Sequence, residues 1–221
     1  MGKIYYKSVR IGNSGEFELS TSDGKESCRR TSQLLTDILR DKKLIPNTNH
    51  PTNWTRLSTS RISYEYPGTY RKNGILFLTR SLPDFCIPFD LMALTRVEDF
   101  ESSDHEAEFL PGYDRFIFDT YREMKIAYPT SKNAVAALNR LRTSYDLKEV
   151  NPEEMQYNEC CFKDKIQVTP VALIGDSSIG EIARAHNLVY AKMVDDYIAT
   201  RSPLGFDPIT GNADRFLDDL D

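Results

Sequence analysis

The chain has 221 residues, 40% hydrophobic and 28% charged. That suits one large domain or two small ones and excludes collagen-like, low-complexity and wholly disordered classes. The net charge of −5 conceals a division: residues 1–80 carry 14 bases and 7 acids, net +7, and residues 81–221 carry 14 bases and 26 acids, net −12.

In chain order, Ile4 and Tyr6 start a first strand, a turn follows at Gly12–Gly15, and Phe17 and Leu19 alternate with Glu16 and Glu18 as a second strand. A helix is predicted from about Ser27 to Lys43, with Leu34, Leu35, Ile38 and Leu39 on one face. Lys42 and Lys43 suit the negative end of its dipole, and Pro46 stops it. After an Asn/Thr/Pro-rich loop at 46–56, Ile62, Tyr64 and Tyr66 alternate as a strand, and Ile75–Leu78 makes a short apolar one. From Val97 to Asp114 the chain carries seven acids and no Lys or Arg, which marks an acidic linker. Helices are predicted at about 114–127 and 131–145, the second capped by Thr130 or Ser131 with Val135, Leu138 and Leu141 inside. Ile166–Ile174 reads as a buried strand and 178–201 as helical, before Ser202-Pro203-Leu204-Gly205 and an acidic tail.

The expected fold class is therefore α+β: a strand-rich N-terminal part with one packed helix, and a mainly helical C-terminal part. The boundaries are a basic region at 1–96, an acidic linker at 97–114 and an acidic, mainly helical region at 115–221.

Chemistry-bearing patterns are few. Gly175 and Gly180 follow an apolar strand with the separation of a phosphate loop, but Glu181 and Ile182 stand where that loop needs Lys and Ser/Thr. Gly175-Asp176-Ser177 resembles the opening block of GDS-type esterases; that family's late Asp-x-x-His has no counterpart here, which leaves the serine without a base. Glu181-Ile182-Ala183, Asn187, Leu188 and the inward Met193 and Tyr197 resemble a helix-turn-helix at 178–201. The resemblance implies that Val189, Tyr190 and Lys192 are presented to a partner. Residues 170–221 carry four bases against nine acids, so that partner is expected to be protein rather than DNA. The same residues read better as one continuous amphipathic helix, with Ile182, Leu188, Met193, Val194 and Tyr197 packed in a core.

The basic part interleaves cations with aromatics, a composition that suits single-stranded nucleic acid: charges hold the backbone and rings stack on bases. Arg29, Arg30, Arg61, Arg71 and Lys72, with Tyr64 and Tyr66, are the expected binding residues. Two other readings remain: the tyrosines simply pack, or the basic part docks on the acidic part. Pro83-Asp84 with Glu123-x-Lys125 has the residue types of a metal-dependent nuclease of PD-(D/E)xK type, in which carboxylates hold Mg²⁺ and the lysine orients water. Here Glu123 and Lys125 fall on a predicted helix.

Four cysteines (Cys28, Cys86, Cys160, Cys161) without a Cys-x-x-Cys, and the absence of an apolar signal core or an 18-residue apolar run, predict a reduced, cytoplasmic chain without structural zinc, cofactor or membrane span. The expected function is a non-catalytic, nucleic-acid-associated accessory subunit or adaptor of a larger complex. Its partners would be single-stranded nucleic acid and protein. The alternatives are the nuclease and a purely structural interaction module.

Overall fold

A computed structural model describes residues 3–8, 35–46, 56–63, 65–69, 73–96 and 108–201. The chain divides into two compact units that interleave along the sequence: Met1–Leu44, Arg71–Ser81 and Ile166–Arg215 form one, and Ile45–Tyr70, Leu82–Lys165 and Phe216–Asp221 the other.

In the first unit, strands β1 (Lys3–Ser8), β4 (Gly74–Thr79), β8 (Thr169–Ile174) and β9 (Val189–Ala191) lie in the order β1-β4-β8-β9. β1 and β8 flank β4 antiparallel. β4 has the sequence GILFLT and is buried at every position but Leu78, as an apolar run covered on both faces should be. Tyr5 stacks on Phe77, its register partner, with ring centroids 5.9 Å apart. The β4–β8 register slips between Leu76 and Phe77, beside Pro170, which has no N–H to give a ladder. Gly74 is required by close approach: a Cβ there would collide with the Lys7 carbonyl and the Tyr6 ring.

A short pair, β2 (Lys43–Leu44) with β7 (Ile166–Gln167), belongs to the same unit. So does a helix, α1, whose described part is 35–41. It ends where Lys42 takes a left-handed conformation, φ 51°. α4 (Ser177–Ala185) joins β8 to the parallel β9. Asn187, φ 54°, stops α4 in a Schellman motif: Leu188 N–H donates to the Ala183 carbonyl at 2.9 Å, and Asn187 N–H to that of Arg184 at 3.2 Å. α5 (Val194–Arg201) follows.

In the second unit, β5 (Phe85–Ile87), β6 (Glu159–Phe162) and β3 (Leu57–Arg61) are antiparallel in the order β5-β6-β3. α2 (Tyr121–Ala127) begins with a capping box: Thr120 Oγ1 accepts from Glu123 N–H, and the Glu123 carboxylate accepts from Thr120 N–H. α3 (Ser131–Thr143) is capped by Thr130 and buries Ala134, Val135, Leu138 and Leu141. These pack with Ile87, Phe89, Leu94, Leu110 and Phe116 in one core. Arg142 is fully buried and donates to the carbonyls of Lys148, Ala93 and Thr95 at 2.8, 3.0 and 3.3 Å.

The expected fold class is corrected at its C-terminal half. Among the described residues β6, β7, β8 and β9 all follow residue 158, so this half is mixed rather than mainly helical. The continuous helix at 178–201 and the helix-turn-helix both give way to helix–strand–helix, because residues 189–191 pair with Ala172–Ile174. The helix expected at about 114–127 is a short 3₁₀ turn at Tyr113–Phe116 followed by α2. The strand expected at Ile62–Tyr66 stands earlier, at Leu57–Arg61, because the chain turns where Tyr66 N–H donates to the Ser63 carbonyl. The second strand at Phe17 and Leu19, the first part of the 27–43 helix, residues 97–107 of the acidic linker and the acidic tail lie outside the described residues.

Candidate nucleic-acid interface

Within the first unit, an open groove of about 550 Å³ is lined by Lys42, Leu78, Thr79, Arg80, Ser81, Gln167, Val168 and Thr169. Its floor is main-chain pairing. Val168 N–H donates to the Lys42 carbonyl at 2.9 Å, the Thr79 hydroxyl donates to the Gln167 carbonyl at 2.8 Å, and Ser81 N–H donates to Thr79 Oγ1 at 3.2 Å. The left-handed turn at Lys42 and the end of β4 at Thr79 leave Lys42 and Arg80 exposed beside each other's segments, with Lys43 adjacent.

Among the described residues no carboxylate lines this groove. The acids nearest Lys42 in sequence, Asp37 and Asp41, both pair with Arg40, at 2.9 and 2.7 Å. Asp41's carboxyl lies below its ordinary pKa because it accepts a hydrogen bond from the Arg40 guanidinium. Two cations, three hydroxyls and an amide, with no carboxylate among the described lining residues, make a surface that favours a polyanion.

Of the sequence-predicted binding residues, Arg61 and Tyr66 are among the described ones. Arg29, Arg30, Tyr64, Arg71 and Lys72 lie outside the described residues. Arg61 is buried, with its guanidinium 4.1 Å from the centre of the Tyr121 ring. Asn158 clamps its main chain, accepting from Arg61 N–H at 2.9 Å and donating to its carbonyl at 2.7 Å. Tyr66 is fully buried and donates to the Tyr128 carbonyl at 2.7 Å; burial pushes its hydroxyl pKa well up. Both therefore build the interior of the second unit. Arg61 exemplifies a charge whose sign is plain in the sequence while its exposure is not.

Val189 and Tyr190 lie on β9, not on a recognition helix, with Lys192 just after it. The Tyr190 hydroxyl donates to the Gly175 carbonyl at 3.0 Å, bracing the turn where Gly175 takes φ 146°. Tyr190, Lys192 and Met193, the last more than half exposed, are the outward groups of this segment.

The nuclease-type residues are each occupied separately. Asp84 accepts from Lys163 N–H at 2.6 Å. Glu123 serves the α2 capping box. Lys125 pairs with Glu65 at 2.9 Å. Among the described residues no group of three His, Cys, Asp or Glu is placed to hold a metal.

Sequence reasoning missed the groove. Lys42 was legible as a helix-terminal cation and Arg80 as one base among many. Gln167 and Thr169 reach them only through the β2–β7 and β4–β8 pairings. No described helix is long and apolar enough to cross a membrane. Compared with known family models, curated proteins and solved structures, the chain matches none.

Proposed function

We propose that the chain is a non-catalytic accessory subunit or adaptor that meets single-stranded nucleic acid through its basic unit and protein partners elsewhere. The observation that carries this reading is the groove in which Lys42 and Arg80 stand beside Thr79, Ser81, Gln167 and Thr169 with no acid among the described lining residues. Phosphate neutralisation dominates such binding, and hydroxyl and amide groups supply further donors to phosphate oxygens.

The test is titration of labelled single-stranded RNA and DNA at several salt concentrations. Binding should weaken linearly on a log–log plot. The Lys42→Glu/Arg80→Glu double variant should bind at least about tenfold more weakly, with a salt slope shallower by about 1.4, the value for two single-strand phosphate contacts. Unchanged binding by the double variant would remove the groove from the assignment; absence of binding by the unaltered chain would remove the function.

A further inference from the structure

Strands β5 and β6 set Cys86 directly opposite Cys160. On its other side Cys86 spends both main-chain groups on Phe118: its N–H donates to the Phe118 carbonyl at 2.7 Å, and its carbonyl accepts from Phe118 N–H at 3.0 Å. The two main-chain groups of a strand residue point the same way. Toward β6, therefore, Cys86 and Cys160 form a non-hydrogen-bonded pair, the closer of the two antiparallel types, with Cα atoms typically about 4.5 Å apart. That lies within the span of a disulfide.

The two Sγ atoms are 3.5 Å apart, and both residues are fully buried. Side-chain rotation can bring them to the bonding distance of about 2.05 Å without shifting either strand. Cys161 is no competitor, because successive strand residues face opposite ways. It packs in the core that includes Phe85, its register partner, and Val135. The Cys160 thiol also faces Asn158 Oδ1 at 3.4 Å, the same amide that clamps Arg61.

We propose that Cys86 and Cys160 are a thiol–disulfide exchange site, oxidised by a small-molecule disulfide of the glutathione type and reversed by thiols. One protein thiol loses its proton, and its sulfur attacks the small disulfide, forming a mixed disulfide and expelling one thiolate, which takes up a proton. The second cysteine then loses its proton and attacks the first protein sulfur. The Sγ–Sγ bond forms and the second small thiolate leaves and is protonated. Two protein thiols are oxidised by two electrons, and one small disulfide is reduced to two thiols.

Entry requires local opening of β5, a three-residue strand. The hydrogen bond with Cys160 and burial raise the Cys86 thiol pKa well above its ordinary value, so less thiolate is present at neutral pH and exchange accelerates in base.

The test uses the full chain carrying Cys28→Ser, exposed to excess glutathione disulfide at about pH 7 and about pH 9. The expected product has lost two hydrogens by intact mass and carries no adduct. Non-reducing digestion with fragmentation should show Cys86 joined to Cys160, faster at the higher pH and reversed by dithiothreitol. Adding Cys160→Ser should abolish the two-hydrogen loss. Unjoined Cys86 and Cys160 at both pH values, a bond to Cys161 instead, or two-hydrogen loss persisting in Cys160→Ser would each overturn the site.

Discussion

The strands β1-β4-β8-β9 of the first unit and the strands β5-β6-β3 of the second fill their surroundings differently. The first buries Ile75, Leu76, Phe77, Leu173 and Ile174 in an almost wholly apolar layer. The second belongs to a unit that buries Thr59, Ser60, Arg61, Ser63, Asn158 and Arg142 beside its aromatic core. Area held from water is indifferent to direction, whereas a buried guanidinium is stable only where carbonyls meet each N–H. The first unit should therefore accept any apolar group of the right size, and the second should not.

The sharpest contrast is one replacement made in both places. Arg142→Met keeps length and apolar volume but strands the carbonyls of Lys148, Ala93 and Thr95. At about 1–3 kcal/mol per unpaired buried group, the loss should be about 4 kcal/mol in denaturant unfolding. Leu76→Met should cost under about 1.5 kcal/mol, although Leu76→Ala should cost about 3 kcal/mol. If Arg142→Met proves milder than Leu76→Met, the comparison fails. A smaller effect is expected at a surface cap of the polar unit: Thr120→Ala removes the α2 capping box and should cost about 1 kcal/mol, read as a lower unfolding midpoint.

The smallest concerns pH. Burial acts to raise the Glu65 carboxyl pKa, but hydrogen bonds from Lys125 and the main chain outweigh it, so the group sits below its ordinary value. A carboxyl depressed by folding stabilises above its unfolded pKa of about 4.3 and loses that contribution as pH falls through the folded value. Lys125→Met should therefore lessen the stability lost between about pH 5 and about pH 3 by about 0.5 kcal/mol, since the pair is partly exposed.

Where a signal is local, the sequence was readable. The Thr130 cap, the spacing of Val135, Leu138 and Leu141, and the unbroken apolar run of β4 all declare themselves within one window. β5 and β6 do not. Phe85-Cys86-Ile87 and Glu159–Phe162 are too short for periodicity, and they become strands through partners some 74 positions away. The same cause misled the reading of 178–201. α4 and α5 have helical spacing, but Val189–Ala191 between them is a strand only because Leu173 lies alongside. For the candidate interface, the excess of positive charge in residues 1–80 was visible, and its distribution was not. Arg61 is spent on an aromatic ring inside the fold, while Lys42 and Arg80 share a surface completed by residues some ninety to a hundred and twenty positions further on.

The pairing of Gly74 with Ile174 also sets a schedule for synthesis. β4 is made 100 positions before the last residue of its partner, which at about 5–20 residues per second means about 5–20 s with one edge uncovered. During that interval the segment GILFLT, uncharged and free of proline, is an open template for another chain, covered on its other edge by β1. Nascent chains stalled between residues 80 and 169 should therefore be the aggregation-prone species of this protein, and chains extended past 174 should not.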